Sequence, residues 1–413
     1  MLKKHLTVLL LLVMAVGAFA QPIPSGTARY EALGFNPFIM DAATDINRNP
    51  AWGGMYRNYT FGDIGRGAVS DLQLSEQYAG VNFGLGKNFT AGMILNREDG
   101  AIFGGSIRGH YGGHGIGAPI VPFEGLIGYT ANNKKLHVGL APYFAMWSRD
   151  ITNGTPNYDS TLKSMIFGGS LGIVAMMKNG WVEGNVDVRL NSYKFEYDTS
   201  GAVVSSDEVD GGLELAVHLR GFFMVSKPGK VNLVPYAHFG MFNWKPKYND
   251  PNARLTEYKH MDIYGGVGIN MPVLDDGMLA GGLSVGFRSD EENSDNDSLV
   301  VKFTHFTLPQ FNLGLEWAFT DWLTGRAGYS RAVTSDKTTS DLNRPTPANT
   351  REVTQLSASN PDQTVTLGLG MHFGRFSFDG LIGERVFKHG AYILSGHQDD
   401  LYSVISASYN FNK

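Results

Sequence analysis

From Val182 the chain alternates strictly over ten residues: Val182, Gly184, Val186, Val188 and Leu190 on one side, Glu183, Asn185, Asp187, Arg189 and Asn191 on the other. A helix would need apolar residues at i, i+3 and i+4, so period two predicts a β-strand, long enough to cross a bilayer when tilted. The pattern recurs. Leu213, Leu215, Val217 and Leu219 oppose Glu214, Ala216, His218 and Arg220. Phe311, Leu313, Leu315, Trp317 and Phe319 oppose Gln310, Asn312, Gly314, Glu316 and Ala318. Val365, Leu367, Leu369 and Met371 oppose Thr366, Gly368, Gly370 and His372. Beyond Ser192 the phase flips, with Tyr193, Phe195 and Tyr197 apolar against Lys194 and Glu196, which predicts a bulge or an exit at the membrane rim.

Connectors alternate in length. Short turns fall at Gly86-Lys87-Asn88, Asn132-Asn133-Lys134, Lys178-Asn179-Gly180, Ser226-Lys227-Pro228-Gly229-Lys230, Asp275-Asp276-Gly277, Thr320-Asp321-Trp322 and Gly374-Arg375. Longer polar links occupy roughly 97–117, 148–161, 198–208, 245–257, 290–298, 332–362 and 388–399. Short turns at one end and long links at the other predict an all-β fold, a transmembrane antiparallel up-and-down β-barrel, with the short turns on the periplasmic side. Seven turns join fourteen strands, and strands at about 55–64 and 400–411 bring the count to sixteen, so the range is 14–16. The last strand places Leu401, Ser403, Ile405, Ala407, Tyr409 and Phe411 on one face, which resembles the terminal signal of bacterial outer-membrane barrels.

The first residues set the compartment. Lys3, Lys4 and His5 precede an apolar run from Leu6 to Val16 and then Gly17-Ala18-Phe19-Ala20, the layout of a cleaved signal peptide over 1–20. No later stretch is long and apolar enough for a helical span. Export then leads to the bacterial cell outer membrane.

Composition sharpens this reading. There are 52 glycines in 413 residues, far above the ~7% of an average chain, without a collagen period or a linker tract. In the alternating segments they fall mostly on the polar row, where a missing side chain leaves room inside a curved wall. No cysteine is present, which removes thiol chemistry and cysteine-based metal sites. A net charge of −5 without like-charge blocks argues against nucleic-acid partners.

Residues 21–54 do not alternate and are interrupted by Pro22, Pro24, Pro37 and Pro50, so they form a separate N-terminal segment before a barrel at 55–413. Ala32-Leu33-Gly34, Asp41-Ala42-Ala43 and Asn49-Pro50-Ala51 resemble the N-terminal hatch of FadL-like outer-membrane transporters. A barrel subunit of the type IX secretion machinery is similar to that family at the same segment. The resemblance implies a hatch in the lumen, with Asn49, Pro50 and Ala51 leading into the barrel. It implies passive, hatch-gated uptake of a hydrophobic or amphipathic small molecule. FadL-like barrels have fourteen strands, where the turn count here favours sixteen.

The row expected to face the lumen carries Glu183, Asp187, Arg189, Glu214, His218, Arg220, Glu316, Arg326 and Asp379, either a polar conduit or a salt-bridged seat for the hatch. Mixed signs argue against a strongly ion-selective pore. His110, Tyr111 and His114 supply too few ligands at fixed spacing for a metal. Asp290 to Asp297 lacks the EF-hand pattern and reads as a solvated or lipopolysaccharide-bridging acidic loop. Neither an H-E-x-x-H nor a Walker A motif occurs, and the G-x-S-x-G spacings at Gly168–Gly172 and Gly282–Gly286 fall within glycine-rich strand runs rather than at a strand-to-helix turn, so neither an enzyme nor a cofactor is expected. The expected partners are outer-membrane lipid and lipopolysaccharide, and a hydrophobic small-molecule substrate that meets external loops near Tyr248 and Tyr258. The alternative function is a structural or protein-docking barrel in a secretion or surface-assembly system, with a secretion-system protein as partner.

Overall fold

The computed structural model describes residues 28–64, 78–95, 120–131, 134–153, 158–199, 202–226, 230–245, 247–248, 255–274, 276–294, 299–342, 351–357, 363–382 and 402–411. The leader at 1–20, the loop with His110 and His114, the link at 388–399 and Asp295 to Asp297 lie outside them. Among the described residues the strand segments are β1 (Tyr59–Ile64), β2 (Tyr78–Leu85), β3 (Phe89–Leu95), β4 (Ile120–Ala131), β5 (Leu136–Asn153), β6 (Tyr158–Met177), β7 (Gly180–Thr199), β8 (Ala202–Ser226) and β9 (Val231–Trp244). They continue as β10 (Lys247–Tyr248), β11 (Leu255–Val273), β12 (Gly277–Ser294), β13 (Leu299–Ala318), β14 (Leu323–Leu342), β15 (Arg351–Ser357), β16 (Gln363–Phe373), β17 (Phe376–Ile382) and β18 (Tyr402–Asn410).

All pair antiparallel in one sheet, which closes where β1 meets β18 in the register Tyr59 to Asn410. The wall has sixteen strands, because β10 extends β9 along β8, and β15 and β16 pair in turn with β14. The seven expected short turns each join two of these strands. Closure is what makes the wall viable in lipid, since it leaves no unpaired sheet edge.

The apolar rows face outward. Val186, Val188, Leu190, Leu213, Leu219, Phe311, Leu313, Leu315 and Ile405 are all exposed, whereas Glu183, Asn185, His218, Arg220, Asn312 and Ser406 on the alternate rows are buried. Higher on the same outer face Lys163 pairs across from Lys194, and Lys259, Glu291 and Lys302 follow one another across β11, β12 and β13. Charges on a lipid-facing row are costly at depth, so this charged row places the outer rim.

Several links are shorter than the sequence suggested. Strands β5 to β8 and β11 to β14 run 18 to 25 residues, more than the ~10 a tilted strand needs, so they continue as paired wall above the rim. Much of 198–208 is therefore hairpin, and Asp290 to Ser294 is strand rather than loop. Water tolerates polar side chains on both faces there, which erases the alternation that betrays a strand. The flip after Ser192 has a different cause as well. Backbone alternation continues past it, and the bulge falls on the partner strand β8, between the pairs Asn191–Gly212 and Tyr193–Val209. Tyr193 thus stays on the inner row and is buried: here an apolar residue takes the inner side, and the strand does not turn over.

Inside the wall lie helix α1 (Ala28–Ala32), helix α2 (Ala42–Arg48) and a 3-10 turn at Pro50–Gly54. Asp41 caps α2 through Thr44 N, and Asn49 caps the 3-10 turn through Ala51 N, with Pro50 at its first position. Ala28, Tyr30, Leu33, Phe38, Ile46, Ala51 and Trp52 are all buried. No helix among the described residues is long and apolar enough to cross a membrane.

Candidate functional site

The N-terminal segment carries many backbone groups in few regular elements, and each buried carbonyl needs a donor. The wall supplies them from its inner row. Asn82 Nδ2 donates to Gly53 O at 2.7 Å and Tyr56 O at 2.8 Å, Asn270 to Phe38 O at 3.0 Å, and Asn312 to Gly34 O at 3.1 Å. Thr366 Oγ1 donates to Ala32 O at 3.0 Å, while Asn36 of the segment donates to Ala280 O at 2.9 Å. These partners sit on β2, β11, β12, β13 and β16, so the segment is tied down around much of the circumference.

Glycines on the inner row let it come close. A Cβ at Gly268 would lie 2.5 Å from the Phe38 ring, one at Gly314 2.9 Å from Leu33 O, and one at Gly368 2.5 Å from Ala32 Cβ. Gly139, Gly172 and Gly328 would meet Pro50, Asn49 and Gly34 in the same way. The row that the sequence suggested as lumen space is, at these positions, a seat filled by the segment.

Two arginine-centred clusters complete the contact. In the first, Arg220 on β8 donates through Nε to Glu183 Oε1 at 2.6 Å, through Nη1 to Ile39 O at 2.8 Å and through Nη2 to Asp45 Oδ1 at 2.5 Å. Glu183 Oε2 accepts from Asn49 Nδ2 at 3.2 Å and from Trp52 Nε1. The guanidinium also lies over the rings of Trp181 and Phe222, at 5.3 and 5.5 Å. Side chains of Arg220, Asp45 and Glu183 are no more than 4% exposed, so neither carboxylate has water as a fallback. In the second cluster Arg29 grips Glu316 with two nitrogens, at 2.8 and 3.1 Å, and donates to Met40 O at 2.7 Å. Arg326 donates to the same Glu316 at 2.6 Å and lies 2.6 Å from Asp379.

Of the nine inward candidates, Glu183, Arg220 and Glu316 thus touch the segment, and Arg326 and Asp379 support Glu316. The other four lie further out. Asp187 binds Ser170 and Asn185 and sits 3.7 Å from His218 Nε2, and His218 faces His238 across 2.9 Å between their Nδ1 atoms. Arg189 lies 4.6 Å over the Tyr143 ring, and Glu214 stands opposite it in register. Asn49, Pro50 and Ala51 all lie at the seat, against β5 and β6. Arg29, Asp45, Trp52 and the inner-row asparagines were not singled out from sequence; the one usable signal was asparagine on a strand's polar row.

Beyond the seat, the inner rows turn apolar again. Tyr143 and Ala145, Leu162 and Ile166, Tyr193, Phe242 and Trp244, and Tyr258 form one buried cluster, with Trp147 and Ile151 against it. Each belongs to a row that also meets the segment or its neighbours nearer the short turns: Ala141 precedes Tyr143, Val174 follows Ile166, and Gly268 follows Tyr258. Tyr258 is therefore a lumen residue, where the sequence suggested an external loop; pairing with Trp244 and Glu292 fixes it on the inner face of β11. The side chain of Tyr248 lies outside the described residues. Among the described residues no group of three His, Asp or Glu side chains could hold a metal ion.

No protein-family model matches the chain, and no curated protein matches it. Solved structures similar to it include a Pseudomonas aeruginosa FadL homologue, at 11% identity and a TM-score of 0.43, covering 94% of this chain and 98% of that one. The P. putida toluene transporter TodX is similar at 10% identity and a TM-score of 0.39, over 95% of this chain and 100% of that one. The Ralstonia pickettii toluene transporter TbuX is similar at 9% identity and a TM-score of 0.39, with the same coverage.

Proposed function

We propose that this protein is an outer-membrane barrel that admits hydrophobic or amphipathic small molecules passively, with residues 21–54 as the hatch that gates the lumen. The observation that supports it best is the inward-facing cluster around Tyr143, Tyr193, Trp244 and Tyr258. A wall whose inner face only had to pass water and ions would keep that face polar. Aromatic and aliphatic side chains gathered there, on the outer side of a seated segment, offer an apolar solute a place to leave water. The solute would then wait at a floor held by hydrogen bonds and two ion clusters, which can open only if several contacts release together.

Deleting residues 22–54 and measuring uptake of an apolar solute into vesicles tests the gate; a rise in rate is expected, and an unchanged rate contradicts it. Trp244→Ala should slow apolar solutes while leaving small sugars unaffected. A docking barrel would show neither response.

A further inference from the structure

Where the wall rises past the rim, the inner row of β12 and β13 leaves a recess of about 240 Å3 lined by Arg288, Asp290, Glu292, Val301 and Phe303. Glu291 and Lys302, paired neighbours on the opposite face, carry charge outward, which puts the recess at the mouth. Its charges are not equivalent. Arg288 Nε donates to Asp290 Oδ2 at 2.7 Å. Asp290 Oδ1 accepts from the Tyr258 hydroxyl at 2.6 Å and lies 2.7 Å from His260 Nδ1. His305, beyond Phe303 on the same row, is engaged with Asp336. Glu292 is half-buried and has no hydrogen-bond or ion-pair partner among the described residues.

We propose that this recess binds a small organic cation, a protonated amine on a single-ring apolar body, with the ammonium on Glu292 and the ring against Phe303 and Val301. Arg288 and Asp290 neutralise each other, so the lining presents one uncommitted negative charge, and an anion would find its only guanidinium already taken. A calcium or magnesium ion needs six or more oxygens and a zinc ion about four ligands, more than one free carboxylate offers. An ammonium needs only one charged acceptor and gains further from a neighbouring aromatic ring. Size selects the body. A cavity of ~150 Å3 holds benzene, so about 240 Å3 admits a ring with a short amine arm. Tyr258 links the recess to the apolar cluster, since it bonds Asp290 and packs 6.3 Å from Trp244. As a point of entry the recess rests on the uptake reading; its binding chemistry does not.

The test titrates the full chain in detergent with 2-phenylethylamine, 2-phenylethanol and phenylacetate, following binding by calorimetry. The amine should bind at least tenfold tighter than the alcohol or the acid. Glu292→Gln should bring the amine down to the affinity of the alcohol, Glu292→Asp should retain part of the preference, and Phe303→Ala should weaken amine and alcohol together. Equal binding of amine and alcohol, tightest binding of the acid, or an amine affinity untouched by Glu292→Gln would overturn the proposal. Flux is measured separately: a chain that binds the amine through Glu292 yet passes no apolar solute keeps the site and loses the uptake reading.

Discussion

Replacing Gly139 by alanine puts a methyl group where the N-terminal segment already is. The new Cβ would lie 2.5 Å from the Pro50 carbonyl oxygen, and closer still to Pro50 C and Ala51 N, whereas ordinary contact begins near 3.4 Å. The obstruction is backbone, so no rotamer relieves it, and with the nearest atoms at 2.2 Å the 3-10 turn must retreat by about 1.2 Å. That retreat pulls on Asn49 and Trp52, and through them on Glu183. Overpacking of this kind costs ~1–3 kcal/mol, and at ~1.4 kcal/mol per decade a 2 kcal/mol penalty raises the undocked fraction about thirtyfold. Gly184→Ala is the control, because its added Cβ on the outer face meets the tip of Leu219 at 3.2 Å and Ile173 Cγ2 at 3.7 Å, and no atom of the segment. Single-channel recording in planar bilayers reads the result: openings should be far more frequent for Gly139→Ala than for Gly184→Ala or the parent. Equal opening in all three would refute the reasoning that the inner-row glycines hold the segment in place.

Arg220→Ala should cost ~3–5 kcal/mol in urea unfolding, because it strands Asp45 and Glu183 in a buried setting; adding Asp45→Asn and Glu183→Gln should recover part of that loss. Val188→Lys, on the exposed outer row, should cost ~2–4 kcal/mol when refolded into lipid and much less in a short-chain detergent.

Most of the wall was legible because lipid imposes the simplest possible rule, apolar outside at every second residue. The rows through Val186, Leu213, Phe311 and Val365 obey it, and the seven short turns between them carry the strand number. The rule lapses wherever one of its two solvents is missing. Above the rim both faces of β7, β8 and β12 meet water, so Asp290 to Ser294 looks like a loop and is strand. In the lumen the inner face meets protein rather than water, so Tyr193 and Tyr258 look misplaced and are packed. Glycine was misread for the same reason: Gly268 and Gly368 make room, but the room is already filled by Phe38 and Ala32. Of the candidate site, Glu183, Arg220 and Glu316 could be placed on the inner row from their strands. Their partners Asp45 and Arg29 could not, because the segment lacks periodicity and its contacts span up to 378 residues of sequence.

The gate can be tested by locking it. The chain has no cysteine, so a single engineered pair reports without background. A Cβ at Gly314 would lie 3.1 Å from Leu33 Cβ, a few tenths short of the ~3.5–4.5 Å of a disulfide. In the Leu33→Cys, Gly314→Cys variant, uptake of an apolar solute into vesicles is measured oxidised and then reduced. The account predicts that oxidation stops uptake and reduction restores it; equal uptake in both states would contradict a segment that must move for the lumen to conduct.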